Sequence, residues 1–280
     1  VHVHATQFDQ SAGDNVNREV YNIELEGYRQ VDKVVAISNR VKDTLVKKYK
    51  ISPDKIKVVH NGVEFQKSNG NTPAFIKRIK DDGGRIVLYA GRITIQKGPD
   101  YFVAMAKKIL EYEPNTFFVV SGSGDMEDFM IKEVSKLGIS KNFIFCGWLR
   151  GEELATMYRE ADIYVMPSVS EPFGLLPLEC MISDTPVLIS KESGVSEVAN
   201  CVLKSHFWDI DDMTDKVISV LRHHKLKNHL MTNGREEVKA IHWKKAADSL
   251  ISLYNSLDNA FSMLLFPGSP AFESTKVQDF

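Results

Sequence analysis

From residue 85 onward, short apolar runs with strand character alternate with longer runs of helical period, and this alternation limits the fold more than any other feature. The runs RIVLYAG (85–91), TFFVVSG (116–122), NFIFCGW (142–148), DIYVMPS (162–168) and TPVLIS (185–190) read as strands, with 201–204 as a sixth. Helical stretches at 98–111, 125–137, 152–160 and 174–181 separate them, and a helical turn at 193–199 follows the fifth strand. Three further helices are expected near 210–222, 225–239 and 243–257. Strands this uniformly apolar are buried on both faces. An α/β fold follows, with a parallel sheet, helices on both sides and right-handed crossovers. In such a sheet the ligand site lies beyond the carboxyl ends of the strands.

Residues 1–64 repeat the pattern in part. Strands are expected at 1–4, 33–38 and 55–60, with helices at 17–30 and 39–50. A piece this small does not bury both faces of its sheet, so further strands are expected upstream. The first residue is Val, which fits a chain lacking the start of this domain. Residues 65–84 are polar and Gly-containing and read as a linker. The domain organisation is therefore 1–64, a linker at 65–84, a complete α/β domain at 85–257, and a tail at 258–280. The tail lacks a helical or strand period; it is either poorly ordered or packed back on the other domain.

Composition excludes several classes. Hydrophobic residues make up 43% of the chain, enough for a core, and the net charge of -2 gives no electrostatic case for nucleic acid. No run of about 18 apolar residues is present to span a membrane. Cys146, Cys180 and Cys201 form neither a disulfide framework nor a zinc pattern, so buried free thiols and a cytoplasmic location are expected.

The chemistry concentrates in loops that follow strands. After the fourth strand comes SVSEPFGLLPLE, a loop leading into a helix. A helix start exposes unpaired N–H groups, and Gly174 lets a phosphate approach the backbone. Glu171 lies before the helix and Glu179 inside it, so the two carboxylates can bracket a ligand crossing the helix start. A carboxylate accepts from two neighbouring hydroxyls, which suits a ribose or a sugar. Cations for a phosphate come from GRITIQKGPD (91–100), where Arg92 and Lys97 follow the first strand. An ordinary exposed basic pair is the competing reading. Gly124 in GSGD and Gly147 in CGW close the next two strands, and Gly147 offers backbone to a flat base. Trp148 reads as a packing residue. His4 ends the first strand and has two readings: a donor to a sugar hydroxyl, or a satisfied polar residue at a domain edge. His2 is expected on the same face, deeper in the strand.

Three segments, VHVHATQFD, AGRITIQKG and EPFGLLPLE, together resemble retaining glycosyltransferases of family 4 with the two-domain GT-B architecture. VVAISNRVKDTLVKKYKISPDKIKVVHNGV (34–63) resembles the end of that family's N-terminal domain, and the resemblance covers roughly 1–257. It implies an acceptor-side Rossmann-like domain, present only in its C-terminal part, and a complete donor-binding Rossmann-like domain. It implies that Glu171 lies at the donor sugar and supports catalysis, and that Glu179 holds the ribose. Arg92 and Lys97 match the pair that neutralises the donor diphosphate. Phe173, Gly174 and Leu175 match the loop whose backbone meets sugar and phosphates, and His4 matches a cleft histidine near the donor sugar and acceptor. The implied activity is transfer of a hexose from a UDP-, ADP- or GDP-sugar to a sugar, glycan or lipid acceptor, with retention. No cofactor and usually no metal ion are implied, and peripheral membrane contact stays open for the full-length protein. The rival readings are a non-catalytic nucleotide-sugar-binding module and another GT-B enzyme such as an epimerase. Two departures stand out. The family's Gly-rich loop after its first strand is not matched, and Ile182, Ser183 and Asp184 stand where many members have a small residue and Gly before Thr-Pro. The second reads as a turn variation without catalytic weight.

Overall fold

The computed structural model describes residues 1–11, 16–64 and 70–265, with side chains to 258. The first unit contains β1 (His2–Val3), α1 (Gln7–Gln10), α2 (Arg18–Gln30), β2 (Val34–Ala36), α3 (Asn39–Lys47) and β3 (Ile56–Val58). Its strands are all parallel, in the order β1-β2-β3. The second unit begins with α4 (Ala74–Asp81), β4 (Arg85–Ala90), α5 (Pro99–Tyr112), β5 (Thr116–Ser121) and α6 (Glu127–Lys136). It continues with β6 (Phe143–Phe145), α7 (Gly151–Glu160), β7 (Ile163–Met166), α8 (Leu176–Ile182), β8 (Val187–Ser190) and β9 (Leu203–Ser205). The helices α9 (Ile210–Arg222), α10 (His224–Val238) and α11 (Trp243–Leu265) complete it.

The second sheet is also parallel throughout, in the order β6-β5-β4-β7-β8-β9. Strand order therefore reverses between β4 and β7, and the crevice at the carboxyl ends of these two strands is where such sheets bind ligands. The alternation of side chains along β4 explains the two-sided burial. Ile86 and Leu88 join a core with Met157, Leu178 and Met181 from α7 and α8. Val87 and Tyr89 face the other way, onto Phe102, Met105 and Val217 from α5 and α9. At the start of α5, Gly98 takes φ 64°, and a Cβ there would lie 2.2 Å from the Pro167 carbonyl oxygen. Only glycine lets this helix start approach the end of β7 so closely.

The α/β class and the parallel sheets match expectation; three details do not. Helix α11 runs on through 258–265, which the sequence reads as an aperiodic tail. The apolar residues of FSMLL are crowded together and hide the helical period. The rest of that tail, 266–280, lies outside the described residues, as do 65–69 of the linker. The linker itself carries α4, whose Ile76 and Ile79 are buried and whose Lys80 pairs with Glu160 at 2.5 Å. Finally, Ala246, Leu250 and Leu253 of α11 pack on Val35 and Val59. Cover for one face of the small sheet thus comes from the C-terminal helix, where the sequence points only to upstream strands.

Two chain crossings join the units side by side. The Val63 amide donates to the Ile241 carbonyl at 3.0 Å, and a Cβ on Gly62 would meet the backbone of His242 and Trp243 at 2.2 Å. Away from the crossings, Glu197 caps the start of α3 across the boundary. Its carboxylate accepts from the amides of Asn39 (2.8 Å) and Arg40 (2.9 Å), from Asn39 Nδ2 (2.8 Å) and from His60 Nε2 (2.8 Å). Burial raises the Glu197 pKa, but the hydrogen bonds from His60, Asn39 and Arg40 outweigh it and bring it to about 2.

Asp184, the departure before Thr-Pro, has φ 59° and its carboxylate pairs with Arg235. That left-handed turn is the reason a glycine suits this position, and an aspartate tolerates it. The three cysteines are free, but only Cys180 is buried, while Cys146 and Cys201 are partly exposed. Cys146 directly follows β6 and Cys201 lies two residues before β9, both outside the strands themselves. Among the described residues, no helix is long and apolar enough to cross a membrane.

Candidate active site

The loop after β4 is stitched to the loop after β7. Gln96, only 5% exposed, supplies the stitch. Its carbonyl accepts from the amides of Val169 (2.9 Å) and Ser170 (3.4 Å), and its side-chain oxygen accepts from Arg92 Nη2 at 3.3 Å. The Tyr89 hydroxyl donates to the Arg92 carbonyl at 3.1 Å. Lys97 Nζ then forms an ion pair with the Glu171 carboxylate, with side-chain exposures of 19% and 9%. In this geometry the two basic residues and the first glutamate share one place.

Backbone bonds hold Glu171 itself. Its amide donates to the Glu192 carbonyl at 3.2 Å, and its carbonyl accepts from the Gly194 amide at 2.9 Å. Gly174 has φ 97°, and a Cβ on it would lie 3.1 Å from Glu171 Cγ. Glycine thus leaves room for the Glu171 side chain to fold over the turn that starts α8. Phe173 is buried at 2% exposure, with its ring 6.1 Å from that of His60.

These loops border a cavity of about 320 Å³ between the units. His4, Gln10 and Asn61 line it from the first unit, and Arg92, Gln96, Lys97, Glu171, Phe173, Gly174 and Leu175 from the second. A second cavity of about 520 Å³ adjoins it, sharing Leu175 and Leu176. Glu179, Tyr158, Trp148, Arg150 and Trp243 line this one. Burial raises the Glu179 pKa, and the hydrogen bond from the Tyr158 hydroxyl at 3.0 Å pulls it only part of the way back. The Tyr158 hydroxyl is itself pushed far above its ordinary range by burial.

Of the residues singled out from sequence, His4, Arg92, Lys97, Glu171, Phe173, Gly174 and Leu175 meet at the first cavity, and Glu179 lies in its neighbour. Gly124 and Gly147 line neither. Packing accounts for Gly124, where a Cβ would sit 2.3 Å from the Ile93 carbonyl oxygen; at Gly147 the space is open and a left-handed backbone, φ 64°, is what favours glycine. His2 departs from the expected shared face. β1 ends at Val3, and His2 Nε2 lies 2.8 Å from the Tyr254 hydroxyl of α11, while His4 turns to the cavity. Trp148 is 49% exposed and lines the larger cavity, with the Arg150 guanidinium 5.8 Å from its ring, so packing is not its role. Gln10, Asn61, Gln96, Tyr158 and Trp243 were missed. None sits in a spacing pattern; a strand-end position was the only signal, and only for Asn61. Among the described residues, no three His, Cys, Asp or Glu side chains are grouped to hold a metal ion.

Two parallel-sheet units facing one another across a cleft, with cations and carboxylates at a strand-order switch point, define a GT-B-type protein. The chain belongs to the glycosyl transferases group 1 family, whose model matches residues 72–237, and the model of Glycosyltransferase Family 4 matches 1–67. An uncharacterized glycosyltransferase of Methanocaldococcus jannaschii is 27% identical over 266 residues, covering 90% of this chain and 67% of the relative. A D-inositol 3-phosphate glycosyltransferase of Saccharomonospora viridis is 27% identical, covering 83% of this chain and 57% of that protein. The chain spans about half to two thirds of the length of the curated relatives it matches. Among solved structures, sucrose-phosphate synthase from Thermosynechococcus elongatus aligns with TM-score 0.78 at 23% identity, over 92% of this chain and 67% of that one. Anabaena HepE in complex with UDP and glucose aligns with TM-score 0.78 at 14% identity, over 91% and 71%. These two likenesses establish the fold.

Proposed function

We propose that the chain is the donor-binding domain and the adjoining part of the acceptor domain of a retaining hexosyltransferase. Its donor is a nucleoside-diphosphate sugar, and its acceptor a sugar, glycan or lipid. The observation that carries this reading is the gathering of Arg92, Lys97 and Glu171 around one cavity at the β4/β7 switch point, next to the cavity of Glu179. The larger cavity takes the nucleoside, with Glu179 accepting from the ribose hydroxyls. The diphosphate lies beside Arg92 and Lys97, and the hexose beside Glu171, His4 and the 173–175 turn. A solved protein of the same fold carries UDP and glucose, which is consistent with such a ligand.

As the bond from the anomeric carbon to the phosphate oxygen breaks, negative charge builds on the diphosphate. Arg92 and Lys97 stand where that charge develops and stabilise it. Lys97 meets a second anion there besides Glu171, so the ion pair relaxes as donor binds. The acceptor hydroxyl attacks from the face the leaving group departs, and the leaving phosphate oxygen takes its proton. The new glycosidic bond then keeps the original configuration. Glu171 supports the positive charge on the sugar ring.

Thermal melting with UDP, ADP and GDP tests the reading. One of the three, at about 100 times its dissociation constant, stabilises the protein by about 2.7 kcal/mol and raises the melting temperature. Arg92→Ala with Lys97→Ala removes the rise. No rise with any of the three overturns the proposal.

A further inference from the structure

The loop that carries Glu171 is gripped by side chains of the other unit, on both sides of the glutamate. Ser170, the residue before it, is 5% exposed. Its hydroxyl donates to Asp9 Oδ1 at 3.0 Å and accepts from Arg40 Nη2 at 3.0 Å. Pro172, the residue after it, offers its carbonyl to the Ser38 hydroxyl at 2.6 Å. Ser38 also caps α3, accepting from the Val41 amide at 3.1 Å. Asp9, Ser38 and Arg40 belong to the first unit; Ser170, Glu171 and Pro172 belong to the second.

Asp9 is the unusual member. It is a carboxylate at 3% exposure, and among the described residues no cation lies within ion-pair distance of it. Its other oxygen is filled by the Thr6 amide and hydroxyl, both at 2.8 Å. The charge therefore reaches Arg40 only through the single hydroxyl of Ser170. One hydroxyl proton and one lone pair satisfy this arrangement in one direction only: Arg40 donates to Ser170, and Ser170 donates to Asp9. Burying a carboxylate is costly for stability, and an apolar contact would join two domains at lower cost. What the carboxylate adds is a fixed orientation for the residue next to Glu171.

We propose that Ser170, fixed between Asp9 and Arg40, is a positioning residue that sets the Glu171 carboxylate against the donor sugar. The Glu171 end of the donor site is then set by contacts from the other unit, whereas Glu179 and the Tyr158 hydroxyl that holds it both belong to the second unit. This rests on the donor-site reading above.

The test compares affinities for a nucleoside diphosphate and for the matching nucleotide sugar, by titration calorimetry on the whole chain. Ser170→Ala and Asp9→Asn are expected to bind the nucleoside diphosphate within about twofold of the unaltered protein. Their ratio of nucleotide-sugar to nucleoside-diphosphate affinity falls about tenfold. The double variant falls no further than either single one, because the residues act through one relay. Arg40→Gln leaves the Asp9–Ser170 bond in place and keeps the test open if the other variants unfold; it too lowers the ratio. An unchanged ratio in any folded variant, equal loss for both ligands, or additive losses in the double variant overturns the proposal. An unaltered protein that binds no nucleotide takes down the donor-site reading as well. Normal nucleotide binding with a ratio indifferent to Ser170 and Asp9 takes down this proposal alone.

Discussion

Replacing Glu197 by alanine removes the cap that the second unit places on α3, and the cost can be worked from the structure. The carboxylate accepts from the amides of Asn39 and Arg40, from the Asn39 side chain and from His60, at 2.8–2.9 Å. A hydrogen bond to a charged group is worth roughly 1.5–3 kcal/mol. The fall of the carboxyl pKa from 4.5 to about 2 corresponds to an upper bound of roughly 3 kcal/mol. The side chain keeps 20% of its surface exposed, and solvent screening brings the expected loss to about 2 kcal/mol. For a protein of this size that is a fall of about 3–4 °C in melting temperature at pH 7. Because the folded pKa is depressed, the stabilisation is fully present above the unfolded value near 4.5. It disappears as pH falls through about 2. Calorimetric scans of the protein and of Glu197→Ala between pH 7 and pH 2.5 should therefore show a gap that narrows steadily below pH 4.5. Equal melting at pH 7, or a gap that keeps its size in acid, refutes the assignment of this carboxylate as a charged interdomain cap.

Other consequences follow from particular contacts. Gly98→Ala places a Cβ 2.2 Å from the Pro167 carbonyl at a positive φ, and should destabilise the fold by about 3 kcal/mol or more, read from denaturant midpoints. Tyr158→Phe removes the hydrogen bond that holds the Glu179 pKa down. If Glu179 must be ionised to hold a ribose, nucleotide affinity in this variant should start to fall at a higher pH than in the parent, measurable by titration calorimetry from pH 5 to pH 8. A variant profile that overlays the parent's would separate Glu179 from the ligand. Raising ionic strength should weaken nucleotide binding through Arg92, which is exposed, and this salt dependence should flatten in Arg92→Ala.

The second sheet was legible because strands buried on both faces leave continuous apolar runs, as in 85–91 and 116–122. Its strand order was not, since the reversal between β4 and β7 is a pairing between segments some 75 residues apart, where sequence carries no local trace. The two polar loops could be assigned to the site because each follows a strand. Their mutual contacts could not. Nothing in GRITIQKGPD announces that Lys97 will pair with Glu171, or that Gln96 will bind the backbone of 169–170. The same holds for Asp9, Ser170 and Arg40, which meet only once the units face each other. The linker helix is a different case: Phe75, Ile76 and Ile79 in AFIKRIKD carry a helical period, and the surrounding polar residues masked it.

In the proposed donor site two adjoining cavities divide one ligand, with Glu179 at the nucleoside and Glu171 at the sugar. Calorimetric titration of a nucleoside diphosphate and its nucleotide sugar into Glu179→Ala and Glu171→Ala tests it most directly. Glu179→Ala should weaken both ligands about tenfold or more. Glu171→Ala should leave the nucleoside diphosphate nearly unaffected and lower affinity for the nucleotide sugar alone. Negligible effects from both substitutions, or the opposite division between them, would contradict it.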